Sequence, residues 1–435
     1  MTKIIFATGN KDKLREIKEI LSDCDVDIRS MKEAGINVDI VEDGKTFEDN
    51  ALIKARAIAA HTDAIVLADD SGLEIDYLNK EPGVYSARYM GEDTSYDIKN
   101  NNLIERLDGV PKEKRTARFV CAIAAVLPDG KEHVQYDGIE ENPSVETVMK
   151  ATEFGKRNGV DFVIAIGGGS PMDAAKAIAI MLANPEKDAD YLYENVAHTK
   201  ALPVVTIPTT CGTGSEVTGV AVLTVHAKRT KASLPHRVFP VLALADPKYL
   251  KTASKKVIGQ TAIDALGHMI ESYLNTTATD YSRMFVDQGL KVWARSKDAL
   301  LGMREMTDED YSNFLLASTL AGMAIAQTGT TIPHSLSYAI TYELGVPHGI
   351  AIGYFLPGYI READVADQEY LLSTIGFSSV DEFADFFQVV SDCGILPEEN
   401  IRQVVDIVVE NKAKLALCPY PLDKEVLLRI ASWRK

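Results

Sequence analysis

The chain contains two strand–turn–helix segments that each carry glycine at the turn, and they lie far apart in the sequence. In the first, the apolar stretch 4–7 leads through Thr8-Gly9-Asn10 into a predicted helix over 11–21. In the second, the apolar stretch 162–166 leads through Gly167-Gly168-Gly169-Ser170 into a predicted helix over 171–183. A strand followed directly by a helix favours a parallel sheet, and each segment starts its own alternation of strands and helices. The sequence therefore predicts two separate α/β parts joined head to tail.

The pattern of apolar residues predicts further strands and helices in both α/β parts, and helices alone in the last part of the chain. It predicts a helix over 46–61 with its cap at Thr46, strands over 64–68 and 119–127, a turn at 128–130, a helix over 145–158 and a strand over 203–207. From about residue 251 onward, strand signals fade and helical periodicity dominates. We therefore expect three domains: an α/β N-terminal fragment over 1–132, an incomplete, mostly parallel α/β dinucleotide-binding (Rossmann-like) domain over 133–250, and an all-α helical domain over 251–435.

The composition argues against several classes of function. The formal net charge is −17, whereas binding to a nucleic-acid backbone needs clustered lysine and arginine. No stretch approaches the roughly 20 apolar residues of a membrane-spanning helix, and the apolar run at the start is too short for a signal peptide. The five cysteines form no CxxC pair, which favours a reducing compartment. We expect a cytoplasmic homo-oligomer with no nucleic-acid or membrane partner.

The first glycine turn is surrounded by groups that suit an anion. Backbone N–H groups are free at a helix start, and Lys11 and Lys13 could reach phosphate oxygens there. An exposed helix start with solvated lysines is the alternative interpretation of this short motif alone. Asp69 and Asp70 directly follow the strand over 64–68, at the end where α/β proteins hold ligands. Phosphate-binding groups together with carboxylates indicate Mg²⁺, which takes oxygen ligands.

Several short motifs follow one another in the first part of the chain, in the order in which they occur in one protein family. They are Thr8-Gly9-Asn10-x-x-Lys13, Glu42-Asp43-Gly44-x-Thr46-Phe47-x-x-Asn50-Ala51, Lys54-Ala55, Asp69-Asp70-Ser71-Gly72-Leu73 and Pro82-Gly83-Val84-Tyr85-Ser86-Ala87-Arg88. This set resembles the nucleoside triphosphate pyrophosphatase family of the inosine triphosphatase type, which acts on ITP and XTP. The resemblance implies Asp70 as general base and metal ligand, Glu42 as a second metal ligand, and Mg²⁺ as cofactor. It implies that the substrate triphosphate is bound by Thr8, Asn10, Lys13, Lys54 and Ser71.

This resemblance stops before the family's base-recognition segments. After Arg118-Phe119-Val120-Cys121 the family continues to a Phe-Gly-Tyr-Asp segment and a late Ser-His-Arg, which together hold the purine base, and neither occurs here. In the family, water attacks the α-phosphorus and pyrophosphate leaves. We expect at most trace activity of this kind.

The second glycine turn and a set of downstream ligands predict a different chemistry. The turn over 167–170 follows an apolar strand and opens a helix. Its glycines allow the backbone to approach a pyrophosphate closely, and the helix start supplies N–H donors. A turn with a purely structural role is the alternative interpretation. Asp264 and His268 are four residues apart on a predicted helix, so both lie on one face. Together with His334 and His348 they suit a transition metal with mixed nitrogen and oxygen ligands, although any one such histidine could be a hydrogen-bonded core residue.

These motifs, together with Pro208-Thr209-Thr210-x-Gly212-Thr213-x-Ser215-Glu216, resemble the iron-dependent alcohol dehydrogenase family from about Tyr136 onward. The resemblance implies Fe²⁺ (or Zn²⁺) on Asp264, His268, His334 and His348. It implies that NAD(P) is bound by Gly168, Gly169, Ser170, Asp173, Thr209, Thr210, Thr213 and Ser215. Two features depart from the family: Tyr338 stands where many members carry a further histidine, and the family's opening strands have no counterpart.

Three hypotheses for function follow from these two resemblances. The first is a metal-dependent NAD(P) oxidoreductase that interconverts a primary alcohol and an aldehyde, with a cofactor site impaired by the fusion. The second is a pyrophosphatase acting on purine nucleoside triphosphates. The third is an inactive fusion or misassembly product whose sheets lack strands and expose their edges.

Overall fold

A computed structural model describes residues 2–8, 10–22, 26–91, 94–127 and 132–433. The predicted turn at 128–130 and the turn glycine Gly9 lie outside these described residues. The chain divides into two compact units, Met1–Asp137 and Gly138–Lys435.

The first unit is built on one five-stranded sheet. Its elements are β1 (Thr2–Phe6), α1 (Lys11–Ile20), β2 (Val26–Ser30), α2 (Phe47–Ala59), β3 (Ile65–Ile75), α3 (Tyr96–Arg106), β4 (Ala117–Val126) and β5 (Glu132–His133). The strand order is β2-β1-β3-β4-β5. The strands β2, β1 and β3 are parallel, whereas β4 is antiparallel to β3 and β5 is antiparallel to β4. As expected, Thr46 caps α2, because its side chain accepts a hydrogen bond from the backbone N–H of Asp49 at 3.1 Å.

The strand β3 is longer than the sequence predicts. Its parallel pairing with β1 ends at Leu67, but its antiparallel pairing with β4 continues to Ile75. Asp69 and Asp70 therefore lie inside a strand of 11 residues, and the expectation that they follow its end is wrong. They do lie just beyond the point where the parallel partner β1 stops.

The second unit begins with a small α/β part. Its elements are α4 (Val145–Arg157), β6 (Val163–Gly167), α5 (Gly169–Ala183), β7 (Val204–Pro208), β8 (Val222–Val225), β9 (Thr230–Ser233) and β10 (Leu242–Ala243). The expected parallel sheet is confirmed in the order β10-β7-β6, while β8 and β9 form a hairpin that the sequence analysis missed. The strand β6 is at the sheet edge, and Ile164 and Ile166 on one of its faces are 47% and 64% exposed.

The rest of the second unit is helical, as the sequence predicts. The helices are α6 (Lys255–Tyr273), α7 (Asp280–Ala294), α8 (Lys297–Leu300), α9 (Asp308–Thr328), α10 (Ile332–Leu344), α11 (His348–Arg361), α12 (Val365–Ile375), α13 (Val380–Ser391), α14 (Glu398–Val409), α15 (Lys412–Leu415) and α16 (Lys424–Ala431). Their core is rich in large apolar side chains, including Trp293, Phe314 and Phe355. The indole of Trp293 donates a hydrogen bond to the carbonyl of Ala262 at 2.9 Å, which ties α7 to α6.

Among the described residues, no single helix is long and apolar enough to cross a membrane, although the bent pair α9 and α10 passes that test together.

Candidate functional site

In the first unit, Asp70 lies in a cluster of charged and polar groups on one face of β3. Its carboxylate accepts a hydrogen bond from Asn50 Nδ2 at 3.0 Å, and Lys54 Nζ lies 3.5 Å away. Lys54 also contacts Glu42 Oε2 at 3.1 Å, so both carboxylates converge on one ammonium group. The helix α2 carries Asn50 and Lys54 one turn apart, which places both on the same face. Burial raises the pKa of Asp70, against the opposing effects of Asn50 and Lys54.

A second cluster forms around Asp69, the neighbour of Asp70. Lys13 Nζ donates to Asp69 Oδ2 at 2.6 Å and to Ser71 Oγ at 3.0 Å. Successive side chains of a strand point to opposite faces, so Asp69 and Ser71 lie on the face of β3 opposite to Asp70. The structure therefore divides the expected nucleotide-binding residues into two clusters, one on each face of the strand.

The start of α1 is less open to an anion than the sequence suggests. Asn10 caps this helix, and its Oδ1 atom accepts from the backbone N–H groups of Asp12 at 2.8 Å and Lys13 at 3.3 Å. Thr8 Oγ1 in turn accepts from the N–H of Asn10 at 3.1 Å. Two of the backbone donors expected for a phosphate are thus already satisfied by the cap.

In the second unit, the glycine turn packs against the threonine loop that follows β7. A Cβ atom on Gly168 would lie 3.0 Å from Thr210 Oγ1, and one on Gly169 would lie 2.5 Å from Thr213 Cγ2. The helix α5 begins at Gly169, two residues earlier than predicted, because Gly168 is its N-cap and makes no side-chain hydrogen bond. The start of α5 therefore lies beside the threonine loop.

Polar side chains behind the glycine turn bond to one another. Asp173 accepts from Ser215 Oγ at 2.7 Å and from the Val222 N–H at 2.8 Å. Lys176 is fully buried, and its ammonium donates to the Ser215 carbonyl at 2.7 Å and to the Val220 carbonyl at 2.8 Å. Burial lowers the pKa of Lys176 to about 8. Sequence reasoning gave Lys176 no role, although it lies one turn after Asp173; in the structure it ties α5 to the segment between β7 and β8.

The four expected metal ligands converge among α6, α10 and α11. The ligand atoms of Asp264, His334 and His348 all lie within 4.8 Å of one another. His268 Nε2 lies 2.8 Å from His334 Nε2, and the two rings stack with centroids 4.4 Å apart. Asp264, His268 and His334 are buried. Burial lowers the pKa of His268 and lowers that of His348 further, which favours the neutral imidazole that a metal requires.

The donor set of this cluster fits a divalent metal. Asp264 Oδ1 and His348 Nδ1 are buried and have no hydrogen-bond partner among the described residues. Leaving a buried carboxylate oxygen and ring nitrogen unpaired costs free energy, which a bound cation would recover. Three imidazoles and one carboxylate suit iron or zinc.

Two further groups orient the histidine rings. His268 Nδ1 lies 3.1 Å from the Gly212 carbonyl, and His334 Nδ1 contacts Glu271 Oε1. Glu271 was missed by sequence reasoning, although it follows Asp264 by seven residues on the same helix. Residues seven apart on a helix lie on the same face, two turns apart, so this spacing could have identified Glu271.

Tyr338, where the resemblance leads us to expect a further histidine, lies against one of the metal-ligand candidates. Its ring stacks on His348 with centroids 5.9 Å apart, and burial raises the pKa of its hydroxyl. Lys231 Nζ lies 5.7 Å from the centre of the Tyr338 ring and donates to Asn142 Oδ1 at 2.9 Å. Burial lowers the pKa of Lys231 to about 8.

Comparison with known proteins matches the N-terminal and C-terminal parts of the chain to different families. The Ham1 family model matches residues 4–155. The dITP/XTP pyrophosphatase of Clostridium perfringens is 49% identical over 140 residues, which are 31% of this chain and 69% of that protein. The model for iron-containing alcohol dehydrogenase matches residues 112–247, and the model for the C-terminal part of that family matches residues 258–382. The Long-chain-alcohol dehydrogenase 1 of Geobacillus thermodenitrificans is 31% identical over 318 residues, which are 67% of this chain and 78% of that protein.

The chain belongs to both families. A solved structure of sulfoacetaldehyde reductase from Bifidobacterium kashiwanohense, in complex with NAD⁺, is similar to the alcohol dehydrogenase part. It is 28% identical with a TM-score of 0.62, and the match covers 70% of this chain and 84% of that one. The Ham1 and iron-containing alcohol dehydrogenase matches overlap over residues 112–155.

Proposed function

We propose that the second unit is a metal-dependent NAD(P) oxidoreductase that interconverts a primary alcohol and an aldehyde. The observation that carries this proposal is the convergence of Asp264, His334 and His348, two of whose buried atoms have no hydrogen-bond partner in the described part of the chain. Together with His268 these residues would hold Fe²⁺ or Zn²⁺. When bound, the metal would polarise the alcohol oxygen as a Lewis acid while the nicotinamide ring takes the hydride.

The protein's own residues position the cofactor in this proposal. The N–H groups at the start of α5 and the side chains of Ser170, Thr209 and Thr210 would receive the pyrophosphate. Asp173 and Ser215 bond to each other, so their contribution is to keep the glycine turn and the threonine loop in register. The relative solved with NAD⁺ supports this choice of cofactor.

Metal analysis of the full chain tests the proposal. We expect about one Fe²⁺ or Zn²⁺ per purified chain and a large loss of metal in His268→Ala, because one of four ligands is removed. His236→Ala is the matched control, since this histidine is equally buried but bonds to the Tyr191 carbonyl at 2.8 Å, away from the cluster. Unchanged metal content in His268→Ala would contradict the site.

A second candidate function is hydrolysis of purine nucleoside triphosphates by the first unit. It is favoured by the half-buried Asp70 carboxylate, which converges with Glu42 on the Lys54 ammonium, since two converging carboxylates suit Mg²⁺. Because the base-recognition segments are absent, we expect only trace release of pyrophosphate from ITP or XTP. The activity should vanish in Asp70→Asn and persist in Asp63→Asn, which changes an exposed carboxylate.

The outcomes of the two assays separate the three hypotheses. A turnover near the usual enzymatic value of about 10 s⁻¹ with ITP would show that the missing segments are dispensable. A folded protein without metal and without either activity would support the third hypothesis, an inactive fusion product.

A further inference from the structure

Glu271 is a fully buried carboxylate whose two oxygens have different partners. Oε1 contacts Nδ1 of the metal ligand His334. Oε2 accepts from the backbone N–H of Thr331 at 2.6 Å and from its hydroxyl at 3.1 Å. Thr331 directly precedes α10, the helix that carries His334. Glu271 therefore fixes both the start of this helix and the ring that the helix presents.

The contact with Glu271 determines which nitrogen of His334 faces the metal cluster. A carboxylate accepts the Nδ1 proton, so Nε2 is left with its lone pair, and Nε2 is the atom that faces His268. The other two histidines lack such a partner: His268 is held by the neutral Gly212 carbonyl, and His348 Nδ1 is unpaired in the described part of the chain. The charged hydrogen bond is the stronger kind.

From this arrangement we propose that Glu271 is a positioning residue that sets the metal affinity of the centre by holding His334. The proposal rests on the proposed function of the second unit. A carboxylate behind a metal-bound histidine fixes the ring and makes it a better ligand, and loss of such a partner typically weakens metal binding about 10- to 100-fold.

Glu271→Gln provides the sharpest test because it keeps the shape but leaves one acceptor oxygen. The two donors face different oxygens of Glu271, so in Glu271→Gln either the Thr331 N–H or the His334 Nδ1–H would face the NH₂ group, which cannot accept. We expect the dissociation constant for Zn²⁺, measured on the metal-free full chain by competition with a chromogenic chelator, to rise about 10- to 100-fold. The visible spectrum of the Co²⁺-loaded chain should change as well, because the position of one ligand changes.

The control separates positioning from general destabilisation. Asp310→Asn alters another buried carboxylate, which pairs with Arg304 at 2.6 Å and lies outside the metal cluster. This variant should lose stability yet keep the wild-type affinity for Zn²⁺.

A double-mutant cycle with His334→Ala provides the decisive measurement. If Glu271 acts through His334, then Glu271→Gln has no additional effect on Zn²⁺ affinity once His334 is absent. Glu271→Asp, which keeps the charge but shortens the reach, serves in the same cycle if the glutamine variant fails to fold. The proposal is overturned if Glu271→Gln binds Zn²⁺ as tightly as the wild type, or weakens it equally without His334. Failure of the wild type itself to bind Zn²⁺ would instead overturn the metal centre, and the proposed function with it.

Discussion

Gly349 lies where α6 and α11, two of the three helices that carry metal ligands, pack closely together. It follows His348 on α11, and a Cβ atom at this position would lie 2.0 Å from the Gln260 carbonyl oxygen and 3.1 Å from Asp264 Cβ, both on α6. Ordinary contacts of this kind begin at 3.4 Å, so Gly349→Ala requires the helices to separate by about 1.4 Å, the difference between 3.4 and 2.0 Å.

This separation exceeds what a metal site tolerates. Metal–ligand distances are held to about 0.2 Å, so His348 and Asp264 could not both remain ligands after a shift of this size. Overpacking of a core by one methyl group costs about 1–3 kcal/mol. We therefore expect Gly349→Ala to lose about 1–3 kcal/mol of unfolding free energy and to bind Zn²⁺ at least about tenfold more weakly.

Denaturant unfolding and chelator competition measure the two effects separately. Both tryptophans, Trp293 and Trp433, belong to the second unit, so tryptophan fluorescence follows that unit alone. Gly353→Ala is the control, because its Cβ atom would meet the side chains of Ile263 and Phe387 rather than backbone. It should lose stability but keep its metal. Wild-type Zn²⁺ affinity in Gly349→Ala would refute the reasoning.

Two further predictions concern stability. Asp310 makes a bidentate pair with Arg304 at 2.6 and 2.7 Å, which holds the pKa of Asp310 well below the usual range. Asp310→Asn should therefore lose about 2 kcal/mol of unfolding free energy at pH 7. Asp308→Asn, which changes an exposed carboxylate in the same helical turn, should lose less than about 0.5 kcal/mol in the same urea unfolding experiment. The pKa of Lys176 is about 8 in the folded chain, against 10.5 for an unperturbed lysine. Between pH 8 and pH 10.5 the unfolded chain therefore binds more protons than the folded chain. The unfolding free energy of the wild type, relative to Lys176→Met, should therefore rise by up to about 3 kcal/mol from pH 8 to 10.5, and a difference that does not change with pH would contradict this.

The sequence predicts those parts of the two sites that depend on local spacing. Asp264 and His268 share a helix face at four-residue spacing, whereas His334 and His348 join them only through the packing of α10 and α11, which family resemblance supplied. The separation of Asp69 from Asp70 follows from strand alternation, but the strand's length depends on its partner β4, which lies more than 40 residues further along the chain. The closeness of Gly349 to Gln260 depends on how two helices cross, and no local pattern encodes that. The expected homo-oligomer and the cytoplasmic location stay predictions.

The long pairing of β3 with β4 makes the first unit sensitive to the length of its sequence. The two strands are matched residue for residue from Val66↔Val126 to Ile75↔Ala117. Adding or deleting one residue of β3 between Val66 and Asp69 would turn every following side chain of that strand to the other face, and Asp69 and Asp70 would exchange surroundings. Lys13 would then lose its contact with Asp69, and Lys54 would lose its contact with Asp70. Length changes within these paired strands should therefore be far less tolerated than substitutions.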